Sequence, residues 1–90
     1  MPYSIHYHPQ VEATLSSLGS PEQSRVRASI RHLAESGLSS PDVAILNDRV
    51  GNEPLYALRV GKKLQVLFTA SLDNITVLDV LNRQFAERYG

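Results

Sequence analysis

A two-layer α+β fold is what the sequence predicts, and three observations predict it. Between Leu55 and Arg83 the segments LYALRVG, KKLQVLFTA and ITVLDVLNR follow one another with short polar breaks. Each has the length and the β-branched or aromatic content of a strand, and the breaks are hairpin-sized, which gives a three-stranded antiparallel meander. Ahead of them stand two stretches with helical spacing of apolar residues. Helices grouped before an antiparallel sheet bury their apolar stripes against one face of it, so the other face is left for function.

Taken in order, 2–7 reads as a short strand with Tyr3, Ile5 and Tyr7 on one face and Ser4 and His6 on the other. Pro9 suits the first turn of a helix, where its missing donor is not needed. Val11, Leu15 and Leu18 continue that helix, and Gly19 is expected to end it. Ser20-Pro21-Glu22-Gln23 then reads as a capping serine, a proline at the first helical position and a glutamine three residues after the cap. The second helix carries Val26, Ile30, Leu33 and Ala34 as its buried stripe, turns Arg25, Arg27 and Arg31 elsewhere, and closes at Gly37. So short a connection predicts an antiparallel helical hairpin.

After a polar connection over 38–42, Val43 to Leu46 reads as a further short strand and Asn47 to Pro54 as a loop, being rich in Asn, Asp and Gly. The meander follows. Tyr56, Leu58 and Val60 share one face of its first strand, with Leu55, Ala57 and Arg59 opposite. Leu64, Val66, Phe68 and Ala70 are in phase on the second, with Gln65, Leu67 and Thr69 opposite. The third is apolar on both faces except at Asp79, which suits a position inside the sheet. Arg59, Gln65 and Arg83 are thereby expected on the open face. Residues 83–90 have the pattern of one or two closing helical turns.

Ninety residues make one domain, 1–90, and nine Lys plus Arg balance nine Asp plus Glu, so no global charge draws the chain toward nucleic acid. The pull is local instead. Arg59, Lys62 and Lys63 give residues 55–70 a balance of three positive charges, which a solvated hairpin tip also explains. The absence of cysteine excludes disulfides and thiolate metal sites and is compatible with the cytoplasm. MPYSIHYHPQ lacks the basic region and apolar run of a signal peptide, and no stretch has the apolar length of a membrane span. His6 and His8 alternate as two ligands of a metal would, but no third ligand accompanies them, and no cofactor is expected.

The strings Leu55-Tyr56-Ala57-Leu58-Arg59-Val60-Gly61, Leu64-Gln65-Val66-Leu67-Phe68 and Val77-Leu78-Asp79-Val80-Leu81-Asn82-Arg83 together resemble the RelE/ParE superfamily, the toxins of type II toxin–antitoxin modules. The order of strand, paired helices and meander is similar too. The resemblance implies a RelE-like fold, a cognate antitoxin as partner, and, in the RelE branch, metal-independent cleavage of messenger RNA on the ribosome in the cytoplasm. Arg59 and Arg83 match the family's arginines and would stabilise phosphoryl charge, which a permanently protonated fork of donors suits. A structural ion pair with Asp79 is the competing account of either. Lys62, Lys63, Gln65 and Phe85 are the expected RNA contacts. The chain departs from the family at Ala57 and Gln65, where relatives carry basic residues, at Asn82, where they carry histidine, and at Phe85, which lacks a phenolic proton. Tyr89 offers a hydroxyl out of register, so no general acid or base is assigned. A ParE-like inhibitor of DNA gyrase, or a catalytically silent binding module of the same fold, is the alternative.

Overall fold

The computed structural model describes residues 3–82. The elements run β1 (Ser4–Tyr7), α1 (Pro9–Ser16), α2 (Ser20–Ser36), a 3-10 turn (Gly37–Ser39), β2 (Val43–Val50), β3 (Glu53–Val60), β4 (Leu64–Ser71) and β5 (Asn74–Asn82). The strands form one sheet in the order β1-β5-β4-β3-β2. Its last four strands make an antiparallel meander, and β1 adds to β5 in parallel. The expected α+β arrangement therefore holds, with the meander at four strands.

One face of this sheet carries the core. Val11 and Leu15 of α1 and Val26, Ile30 and Leu33 of α2 cluster with Leu58, Val60, Leu64, Val66, Phe68, Ile75, Val77 and Val80. Tyr3, Ile5 and Tyr7 pack against the same cluster, as their alternation requires. Each such side chain contributes about 1.5–3 kcal/mol when fully buried, so the two helical stripes and the inward strand residues hold the layers together. The helices run back along one another: Gln23 Nε2 donates to the Leu15 carbonyl at 2.6 Å, and Arg27 pairs with Glu12 at 3.0 Å.

Four local expectations are corrected. α1 stops at Ser16 with Ser17 as its cap, and Gly19 is the N-cap of α2. Ser20 accordingly lies inside the helix and makes no capping bond, while Gln23 ties α2 to the end of α1 instead of closing a capping box. His8 leaves the strand to cap α1, its Nδ1 accepting from the Gln10 amide at 3.5 Å, so it does not share a strand face with His6. The segment 47–54 is no loop: β2 runs on to Val50, and Gly51 and Asn52 make the turn, with Gly51 at φ +62°. Sequence composition misled here because Asn and Asp populate this strand, whose ladder slips between Ile45 and Arg49.

A bulge accounts for the two-sided apolar pattern of β5. Leu67 pairs with Asp79 but Phe68 with Val77, so Leu78 is the extra residue. Ile75 and Val77 face the core before it and Val80 after it, whereas Asp79 and Leu81 fall on the open face. Gln10 Nε2 donates to the Leu78 carbonyl at 2.8 Å, so α1 satisfies a backbone group at the interrupted ladder.

The β4–β5 turn holds a strained residue. Leu72 has φ +51° and is 94% exposed, so a branched side chain occupies a left-handed position while burying nothing. Leu72→Gly is expected to stabilise the protein by about 0.5–1 kcal/mol, relief of the strain exceeding the entropy glycine adds to the unfolded chain. Urea unfolding measures it, and a lower midpoint in the variant contradicts the strain argument.

Candidate functional site

Arg59 and Gln65 stand side by side on the open face because they are directly paired partners across β3 and β4. Gln65 is in turn paired with Leu81 on β5, so the three strands bring these positions to one level. Ala57 lies two residues before Arg59 on the same face and is buried. Where a basic side chain would stand, this chain has a small floor. Pro41, Asp42, Val43 and Ala44 supply the opposite wall of a cleft of about 150 Å³ that Ala57, Arg59 and Gln65 complete.

Arg59 is placed where β2 begins. Val43 pairs with Leu58, and one step further the Arg59 amide donates to the Asp42 carbonyl at 2.9 Å. Beyond that bond β3 has no β2 partner, so Arg59 also borders a second cleft, of about 220 Å³, toward α2. Ser29, His32, Ser40 and Asp42 are its polar lining. Asp42 and His32 thus line the same cleft as Arg59, which the sequence concealed because that shared lining arises only from the packing of helix, connection and strand.

The guanidinium of Arg59 forms no ion pair among the described residues, where the salt bridge present is Arg27 with Glu12. Asp79, the acid a structural pairing would use, accepts instead from the Val80 amide at 2.8 Å through its Oδ1. An unpaired guanidinium at the rim of a small cleft, beside a neutral amide, can donate to a phosphate or carboxylate in forked geometry. Gln65 can share the hydrogen bonding but adds no charge.

Lys62 and Lys63 are brought elsewhere. They occupy the β3–β4 turn and line a different cleft, with Glu22 and Arg25 of α2. Arg83, Phe85 and Tyr89, and the closing turns expected over 83–90, lie outside the described residues. His6 Nε2 shares a hydrogen bond of 3.1 Å with Asn74 Oδ1 across β1 and β5. No group of three or more metal-binding side chains occurs among the described residues. No helix among them is long and apolar enough to cross a membrane.

No family model matches the sequence, and no curated protein matches it. Solved structures do. The chain is similar to a chain of the archaeal RelE–RelB complex from Pyrococcus horikoshii OT3, with 25% identity and a TM-score of 0.77 over 92% of this chain and 97% of that one. The RelB–RelE antitoxin–toxin complex from Methanococcus jannaschii matches with 19% identity and a TM-score of 0.70, over 93% and 96%. Free E. coli toxin RelE, with two arginines replaced by alanine, matches with 14% identity and a TM-score of 0.62, over 99% and 92%.

Proposed function

We propose a function from the fold, which is that of RelE toxins over nearly the whole chain and agrees with the resemblance to the RelE/ParE superfamily read from its strands. From that premise we propose that it is the toxin component of a toxin–antitoxin pair, inhibiting translation in the cytoplasm by ribosome-dependent cleavage of messenger RNA. Two of the similar structures contain a RelB antitoxin, which supports a cognate antitoxin that covers this protein in its inactive state.

The observation that carries the reading is the exposed Arg59, without an ion pair among the described residues, beside Gln65 on the sheet face opposite the helices. In the proposed reaction the ribose 2′-oxygen forms a bond to the adjacent phosphorus as the phosphorus–O5′ bond breaks. The 2′-proton passes to solvent or a ribosomal group and the leaving oxygen gains one. Negative charge grows on the phosphoryl oxygens, and a guanidinium aimed at that charge stabilises the transition state more than the ground state. Arg59 takes this role and Arg83 is proposed to share it; Gln65 and Phe85 hold the neighbouring nucleotide by hydrogen bonding and stacking. With one cation in the described part of the cleft, proton transfers are left to groups the ribosome supplies.

The neutral residues Ala57 and Gln65 favour a second reading, a gyrase-directed binding module without chemistry. Purified protein added to a translating extract decides between them. The expected result is messenger cut only when ribosomes are present; intact messenger together with blocked supercoiling by gyrase supports the second reading instead.

A further inference from the structure

Arg25 and the adjacent pair Lys62 and Lys63, far apart in the chain, meet at one end of the molecule. Arg25 comes from the second turn of α2, and Lys62 and Lys63 from the β3–β4 turn; with Glu22, Val60, Gly61 and Leu64 they line a cleft of about 490 Å³. Gly61 permits the approach. Its φ is +63°, and a Cβ built there would lie 3.3 Å from Arg25 Nη1, so the guanidinium rests on a bare backbone. Among the described residues none of the three cations forms a salt bridge. Glu22, the one acid among the described lining residues, has its Oε1 toward Gly19 at the start of α2, 3.9 Å from where a Cβ of that glycine would stand. A chain with balanced formal charge has thus concentrated unpaired positive charge in one concavity.

We propose that this cleft binds the phosphodiester backbone of RNA, as a site separate from the one at Arg59 and Gln65. The proposal rests on the RNA-directed reading above and adds a second point of attachment, with Arg25 as its anchoring residue. Charge without apolar anchors is the reason to choose a nucleic acid backbone over a protein segment. Val60 and Leu64 are buried beneath the cleft, and among the described residues the exposed large apolar ones, Ile45, Val50 and Leu72, all lie elsewhere. Peptide docking depends on buried hydrophobic or aromatic anchors, whereas phosphate contacts need donors and positive charge alone. An arginine fork flanked by two flexible lysine ammoniums holds a phosphate and its neighbour without reading a base.

The test is the salt dependence of binding to a fluorescein-labelled RNA hairpin, followed by anisotropy, for the parent and for Arg25→Gln, Lys62→Gln and Lys63→Gln singly and together. Each lost phosphate contact lowers the slope of log affinity against log salt by about 0.7–0.9, so the triple variant is expected to lose roughly 2 units and Arg25→Gln alone close to one. Unchanged thermal unfolding of the variants confirms that folding is not the cause. A slope equal to the parent's in the triple variant overturns the proposal. So does unaltered RNA binding with lost binding of polyglutamate, which assigns the cleft to an acidic protein segment. Messenger cleavage by the parent in the translating extract is scored separately: cleavage with an unchanged salt slope removes only this site, and a reduced slope without cleavage removes only the catalytic reading.

Discussion

Arg59→Ala is expected to lower the rate of ribosome-dependent messenger cleavage by about 10²–10³-fold while leaving the fold intact. The size follows from the kind of contact removed: one preorganised donor to a developing oxyanion contributes about 2.7–4 kcal/mol to the transition state. The fold is spared because the side chain is exposed and makes no ion pair among the described residues, while the Arg59 amide bond to Asp42 is kept by any residue but proline. Arg59→Lys retains the charge and loses the fork, so an intermediate rate is expected. Cleavage is followed by primer extension in a translating extract, with urea unfolding alongside. A parent-like rate in Arg59→Ala refutes the assignment of this residue, whatever the fate of the wider reading.

Phe68→Ala is expected to cost about 3–5 kcal/mol of stability. Phe68 is fully buried at the centre of the core, and its ring stacks on that of Tyr56, its cross-strand partner, at 5.3 Å between centroids and 15° between planes. Truncation removes both the transfer energy of the ring and the contacts of its lining, and β3 and β4 cannot close the void without losing their ladder. Against a typical total of about 5–15 kcal/mol for a small domain, that is a large share. With a midpoint shift of roughly 4–8 °C per kcal/mol at this size, calorimetry should show a fall of at least about 12 °C. A shift of only a few degrees means that the core has collapsed around the gap and is less rigidly packed than its burial suggests.

Much of this architecture was legible in the residues themselves. Val26, Ile30, Leu33 and Ala34 have helical spacing, and Leu58, Val60, Leu64, Val66 and Phe68 alternate, so helix stripe and sheet face follow from periodicity. Arg59 and Gln65 were placed on the free face by the same parity. What parity could not supply was anything set by packing between elements. Gln23 looks like half of a capping box, yet bonding to the Leu15 carbonyl is available only once α1 lies beside α2. Lys62 and Lys63 look like a solvated tip until Arg25 is laid over Gly61. Asp42 and His32 become neighbours of Arg59 through the 38–42 connection, which has no periodicity to read. The second half of β2 was hidden for a different reason: Asn47, Asp48 and Arg49 belong to an edge strand whose residues are exposed, so the sequence there carries no apolar alternation.

The extra residue at Leu78 changes how sequences of this kind should be compared. Counting by twos along β5 from Ile75 assigns Asp79 and Leu81 to the helix-covered side, and the observed ladder puts them on the other. A relative lacking that single insertion keeps the equivalent residues inside and outside only when a gap is placed opposite Leu78; matched letter for letter without the gap, everything beyond it is assigned to the wrong face. Deleting Leu78 here would restore plain alternation, with Val77 and Val80 still inside and Asp79 and Leu81 still outside, so its expected cost is confined to the local bend and to the carbonyl that Gln10 reaches.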